Sequence, residues 1–268
     1  MNVQRALAIS AFLMLCFGGL AAGGPANVII DLKNNYILGA VDDGKWIDSA
    51  QAGALLKEGT SFRAYGLDRE MGETKAGTPE SMSEPCPDTW TVKLSPPREE
   101  GAIALSGSWN ALPRKPRSAD VTQPVYVQAV REFLVERGLK NPEIHITQIL
   151  RVDLDGDKEE EVLISATNYL TKKKGMPSSA TAGSYSFVLL RRVVDGKVKT
   201  QLVDGEFYPE QKEFNAPSRY RVLAALDLDS DGKMEVIVDS EYYEGGATTI
   251  YRCTPEKIEE LISTGCGA

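Results

Sequence analysis

Histidine is almost missing from this chain: its 268 residues contain one, His145. Nothing around it forms a recognisable catalytic triad, and its place opposite Ile144 and Ile146 on a strand-like run suits a surface or second-layer side chain. There is no G-x-S-x-G elbow, phosphate loop, dinucleotide fingerprint or zincin helix, so the chemistries those motifs carry have no support. Cysteine is scarce as well, at 4 residues, in spacings that match no zinc framework. Positive charge is in deficit: 30 Lys and Arg face 38 Asp and Glu, for a net charge of −8. That field argues against a nucleic-acid partner or an anionic membrane surface. Beyond the N-terminus, no apolar run is long enough to cross a bilayer.

The N-terminus, "MNVQRALAISAFLMLCFGGLAAGGPANV", has Arg5, then an apolar run over Ala6–Leu20, then small residues. These are the three regions of a secretory signal peptide, expected over residues 1–23. The chain is therefore expected to be exported (periplasmic, secreted or at the cell surface), with no membrane insertion after signal cleavage. Cys16 is removed with that segment, and export permits disulfides. A Cys253–Cys266 pair is expected to pin the C-terminal tail. Cys86 then remains as a free thiol, an intermolecular link, or the partner of one of the other two.

The predicted organisation is a small N-terminal β unit over 24–67, a linker or loop over 68–88, and a β-rich domain over 89–268. Asn34-Asn35 and Asp42-Asp43-Gly44 punctuate apolar runs as hairpin turns do, and Asp195-Gly196 does the same later. The stretch from Asp68 to Asp88 is polar, rich in Gly, Pro and Ser, and has no apolar period. "QPVYVQAVREFLVERGLKNP" is the main helix, with Pro124 near its start and Val127, Val130 and Leu134 on one face. The basic "ALPRKPRSAD" reads as a solvated connector. "TPEKIEELIS" is expected to close the chain as a short helix capped by Thr254.

What the chain has in excess is acid placed just before strand-like runs. "DLDGDKEEEVLI" and "DLDSDGKMEVIV" repeat one another: Asp153 aligns with Asp227, Asp155 with Asp229, Asp157 with Asp231 and Glu161 with Glu235. Carboxylates at alternate positions of a tight loop converge on one point, and such a loop gathers enough hard oxygens for Ca²⁺. Without a cation, like charges ~4 Å apart cost about 1 kcal/mol per pair in water, and more when desolvated. The loops are not EF-hands, because position 12 is Ile164 or Val238, inside a strand rather than before a helix.

The two stretches resemble the calcium loops of FG-GAP/VCBS repeats, the blades of integrin-α-type β-propellers. The resemblance implies Ca²⁺ held by Asp227, Asp229, Asp231, the Lys233 carbonyl and Glu235. In the first loop it implies Asp153, Asp155, Asp157, the Glu159 carbonyl and Glu161. Lys158 stands where that family has glycine and Gly232 keeps it, so the first site is expected to be the weaker. Two blades cannot close a ring. The expected fold is α+β and predominantly antiparallel β, with propeller-blade-like sheets and one main helix but no closed propeller. The expected function is an exported, calcium-binding, non-catalytic module for a protein or polysaccharide ligand. Two alternatives stand beside it: a Ca²⁺-dependent hydrolase of cell-wall or extracellular polymer, using carboxylates outside the loops, and a structural domain whose acidic loops bind nothing specific.

Overall fold

The computed structural model describes residues 26–98, 100–169 and 175–267; the expected signal peptide lies outside them. The first part of the chain builds β1 (Asn27–Asp31), β2 (Tyr36–Asp42), β3 (Lys45–Ile47), helix α1 (Ser49–Leu55), β4 (Ser61–Tyr65), β5 (Glu70–Ser81), β6 (Trp90–Ser95) and β7 (Ile103–Leu105). These strands lie in the order β1-β7-β4-β5-β6-β2-β3, and β1 also pairs with β2. The circuit from β1 round to β2 is therefore a closed, antiparallel six-stranded barrel, with β3 attached outside. The turns behave as their sequences require: Asn35, Asp43 and Gly44 all adopt positive φ, the conformation that hairpin turns demand and that Asn, Asp and Gly tolerate.

Alternation along each strand serves two cores at once. Val28, Ile30, Ile37, Phe62, Val92 and Leu94 fill the barrel. Ile29, Leu38, Ile103 and Leu105 point outward into a second, larger core. Helix α1 plugs the barrel with Ala52 and Leu56, held at its start by an Asp48–Gln51 capping box. Gly53 is needed there, since a Cβ would lie 2.5 Å from the Trp90 ring.

The stretch 68–88, expected to be a loop, holds the twelve-residue strand β5. It pairs with β4 on one edge and β6 on the other, so the barrel draws strands from both sides of the expected boundary. Of its residues only Thr74 and Ala76 are buried, which is why no apolar period marks it. Ladder bonds on both edges stabilise it instead.

Next come β8 (Arg117–Ser118), α2 (Pro124–Glu136), β9 (Ile146–Val152), β10 (Glu161–Thr167), β11 (Ser184–Val194) and β12 (Lys197–Tyr208). They form an open sheet ordered β12-β11-β10-β9-β8. One face packs Ile149, Ile164, Tyr185, Phe187 and Leu189 against Tyr126, Val130, Phe133 and Leu134 of α2, the expected main helix. The other face gives Leu150, Val152, Leu163, Val188 and Leu190 to the large core.

The last sheet runs β13 (Arg219–Leu226), β14 (Glu235–Tyr242), β15 (Gly245–Cys253) and β16 (Ile258–Cys266), in sequence order. β16 replaces the helix expected at "TPEKIEELIS". Thr254 does not cap a helix but closes a turn, its N–H donating to the Lys257 carbonyl (2.9 Å) and its hydroxyl accepting the Lys257 N–H (3.1 Å). The following residues then pair along β15, and the Thr264 hydroxyl reaches the Leu38 carbonyl of the barrel at 2.7 Å. Tertiary pairing has overridden a local helical pattern. The described residues are thus predominantly antiparallel β, with two helices, one closed barrel and two open sheets, and form no closed propeller. Among the described residues no helix is long and apolar enough to cross a membrane.

The same hairpin overturns the expected Cys253–Cys266 pair. Cys253 faces Ile258 at one end of β15–β16, while Cys266 faces Gly246 at the other. The disulfide joins Cys86 to Cys266, with Cα atoms 5.6 Å apart, and Cys253 is the free thiol among the described residues. A cross-link across 180 residues constrains the unfolded chain by roughly 5 kcal/mol in the entropy model. Non-reducing peptide mapping is expected to recover the 86–266 link. Cys86→Ser is expected to lower unfolding stability by roughly 2–5 kcal/mol, whereas Cys253→Ser leaves the link in place. A recovered 253–266 peptide would contradict this pairing.

Candidate metal centres in two matching hairpin loops

Both acidic stretches are tips of antiparallel hairpins. Glu161 opens β10 opposite Val152, and Glu235 opens β14 opposite Leu226. A glutamate at the root of a strand therefore reaches back into its own loop. Glu161 Oε2 accepts the Leu154 N–H at 2.8 Å, and Glu235 Oε2 accepts the Leu228 N–H at 3.0 Å. Asp153 accepts from Lys158 N–H (3.1 Å) as Asp227 does from Gly232 N–H (3.2 Å). Asp155 holds the Asp157 N–H (3.2 Å) and Asp229 the Asp231 N–H (3.3 Å). Asp157 and Asp231 each hold the N–H two residues on, from Glu159 and Lys233, both at 2.7 Å. The internal repeat is thus a repeat of hydrogen bonds as well as of letters.

Two acidic triads result, Asp153/Asp155/Glu161 and Asp227/Asp229/Glu235, each offering carboxylate oxygens within 4.8 Å of one another. Either can hold a metal ion. Asp157 and Asp231 stand outside the triads, with one oxygen each committed to backbone, and the N–H groups of Glu159 and Lys233 serve that commitment. The backbone corrects one expectation. Position 6 is left-handed in both loops, at Lys158 (φ 77°) and Gly232 (φ 83°), but so is position 4, at Gly156 (φ 87°) and Ser230 (φ 66°). Each loop places one non-glycine residue in that costly region, so Lys158 alone does not make the first loop the more strained.

Burial separates the two. Glu235 is 1% exposed, and burial, reinforced by the Asp229 charge, pushes its carboxyl up to about 8. Burial also raises Asp227, Asp229 and Glu161 above the ordinary carboxylate range. Asp227 Oδ1 is buried and accepts no well-formed hydrogen bond among the described residues, with the Ser230 N–H favouring the charge of its carboxyl. The protein's own cation at this loop is Arg252, which holds Asp229 Oδ2 at 2.7 Å and stands 3.7 Å from Glu235 Oε1.

The residues that hold the loops in place escaped the sequence reading. Arg114, in the basic run expected to be a solvated connector, donates to the Asp153 carbonyl (2.5 Å), the Leu154 carbonyl (3.0 Å) and, from the second loop, the Gly232 carbonyl (2.8 Å). Met234 N–H also crosses to the Leu154 carbonyl at 2.8 Å. Trp109 donates its indole N–H to the Asp227 carbonyl (2.7 Å), and the Asp227 N–H goes to Ala111 (2.8 Å). The segment that leaves the barrel therefore clamps both loops to each other. Its only sequence signal was a cluster of cations in an acidic chain. Arg117, from the same run, and Arg151 both hold Glu160 and pull its carboxyl below its usual range. His145 lies away from the loops, its Nε2 3.2 Å from Glu143.

Because a guanidinium fork spans three carbonyls in two loops, Arg114→Ala is expected to accelerate amide hydrogen exchange at both 153–160 and 227–234, and Arg114→Lys is not expected to restore protection. Loosening of one loop alone would show the clamp to be unimportant. A second prediction concerns pH. Between the unfolded value near 4.5 and the native value of about 8, the folded protein keeps a proton on Glu235 that the unfolded chain has released. The Glu235 contribution to metal-free stability is therefore full below pH 4.5 and is lost as pH rises to about 8, by on the order of a few kcal/mol. Melting in chelator from pH 5 to 8.5 is expected to show this decline, and Glu235→Gln is expected to flatten it.

No family model, no curated protein and no solved structure matches this chain.

Proposed function

We propose that this protein is an exported binding module whose two hairpin loops are organised by Ca²⁺ and which does no chemistry of its own. The observation that carries the reading is Asp227: a buried carboxylate oxygen without a well-formed hydrogen bond, inside a triad with Asp229 and Glu235. A buried anion is costly unless paired, and Arg252 reaches Asp229 and Glu235 but makes no contact with that oxygen. The donors are hard carboxylate oxygens in an irregular arrangement, which Ca²⁺ tolerates better than Mg²⁺ with its demand for a near-ideal octahedron. Asp227, Asp229, Asp231, Glu235 and the Lys233 carbonyl would hold the ion in the second loop, as the FG-GAP/VCBS resemblance implies. Asp153, Asp155, Asp157, Glu161 and the Glu159 carbonyl would do so in the first. The ion supplies charge neutralisation and loop rigidity. The signal-like N-terminus and the disulfide support an oxidising, exported setting.

One acidic pair outside the loops, Asp204 and Glu206, is consistent with the non-catalytic reading. Asp204 is held by the Tyr251 hydroxyl at 2.6 Å, and Glu206 by the hydroxyls of Tyr208 and Tyr220, arrangements that satisfy a carboxylate structurally.

Calorimetric titration of the chelator-stripped protein with Ca²⁺ and Mg²⁺ tests the proposal, alongside Asp227→Ala and Asp153→Ala. Saturable Ca²⁺ binding is expected, with one site lost in each variant. The stability effect of Asp227→Ala is expected to change sign, raising the melting temperature without Ca²⁺ by removing like-charge repulsion and lowering it with Ca²⁺. A folded protein that binds neither ion would reduce both loops to acidic turns.

A further inference from the structure

The hairpin loops do not use a cavity of about 690 Å³ on another part of the molecule, a volume within the range of ligand sites. It lies where the start of α2, the start of β9 and the start of β13 meet. Three of its walls differ in chemistry. Val121, Val127, Ile144 and Ile146 supply an apolar side. Arg219 and Arg221, alternate residues of β13, supply a cationic side, and among the described residues no carboxylate lines the cavity. The third wall is a sheet edge. β8 pairs with β9 only at Arg117–Arg151 and Ser118–Leu150, and the Ala119 N–H then reaches the Ile149 carbonyl at 3.0 Å. Past that point the chain turns away into α2, so β9 from Ile146 to Gln148 faces the cavity with no partner strand on its outer edge among the described residues.

The guanidinium groups are held in place but not used up. Arg219 gives Nη2 to Glu241, and its Nε is buried without a hydrogen-bond partner among the described residues. Arg221 gives Nε to Asp239 at 2.8 Å. Each guanidinium has five N–H donors in a fork that suits a carboxylate. Lys33 approaches the same two acids, at 3.5 Å from Asp239 and 3.7 Å from Glu241. Lys33 lies outside the cavity and buried Asp31 stands near Asp239 as a third acid, so what Arg219 and Arg221 offer the cavity is their uncommitted N–H donors rather than an excess of charge.

We propose that this cleft binds the carboxyl-terminal end of an extended peptide. The peptide backbone adds to the open edge of β9, its apolar last side chain packs on Val121, Val127, Ile144 and Ile146, and its terminal carboxylate meets Arg219 and Arg221. A sheet edge, an apolar slot and a cationic end together select that chemistry, as β-strand addition with carboxylate capture does elsewhere. The inference names a partner class for the binding role proposed above, and it uses no residue of the cation loops.

The test is equilibrium binding of the purified protein to a pool of N-acetylated tetrapeptides ending in Val, Leu, Ile or Phe. Each is supplied as free acid and as C-terminal amide, and retention is read by ultrafiltration and mass spectrometry. Free acids are expected to bind, and the amides to bind about tenfold more weakly or worse. Arg221→Gln, at a half-exposed site, is expected to abolish the preference for the acid, and Val127→Asp to weaken all members. Ca²⁺ titration of the same variants keeps the two proposals apart: intact ion binding with lost peptide binding locates the defect in the cleft. Equal retention of acids and amides, no retention of any member, or indifference to both substitutions would overturn the peptide site and leave the calcium reading standing.

Discussion

A buried glutamate at the first residue of a strand sets the form of both acidic hairpins. Glu161 and Glu235 each hold the N–H of the leucine that enters the loop, 7 residues upstream. That bond closes the loop and turns the preceding aspartates toward the glutamate. It also draws negative charges into a shared, poorly solvated space, which is unfavourable unless a cation answers it. The structure offers partial answers, Arg252 at the second loop and Arg114 beside Asp153 at 3.8 Å. Neither contacts the buried Asp227 oxygen, and burial, with the Asp229 charge beside it, raises the Glu235 carboxyl strongly.

That constraint spreads because the loops do not stand alone. The segment between the barrel and β8 sends Trp109, Ala111 and Arg114 onto their backbones, and Ala111 and Leu112 themselves belong to the large core. The same core takes the outer face of the barrel, one face of the middle sheet and the inner residues of the last. The hairpin tips are therefore fastened to the place where all three sheets meet. The Cys86–Cys266 link ties the barrel's β5–β6 connection to the end of β16 at another point. An ion in either loop would act on the junction of the whole molecule rather than on a loose tip.

Much of the candidate site was legible in the residues. Aspartates at alternate positions followed by a glutamate and an apolar run described a strand–loop–strand unit, and its duplication marked a common design. Hairpin turns at Asn34-Asn35, Asp43-Gly44 and Asp195-Gly196 were legible for a similar local reason, because few residue types accept positive φ. The main helix carried its own period and a proline at its start. Arg114 was invisible because its value lies in two carbonyls 78 or so positions apart in the chain (Leu154 and Gly232), brought together only by packing.

The acidic hairpins, the sharp turns and the main helix follow from the residues alone, since each rests on interactions among residues a few positions apart. Packing between distant segments makes β5 a strand, pairs "TPEKIEELIS" as β16, joins Cys266 to Cys86, and closes six early strands into a barrel. In each case the deciding bonds run between distant segments: ladder partners on both edges of β5, β15 and the barrel wall for β16, and opposite ends of one hairpin for the two C-terminal cysteines. Local pattern is silent about such bonds, because a strand is stabilised by its neighbours more than by its own residues.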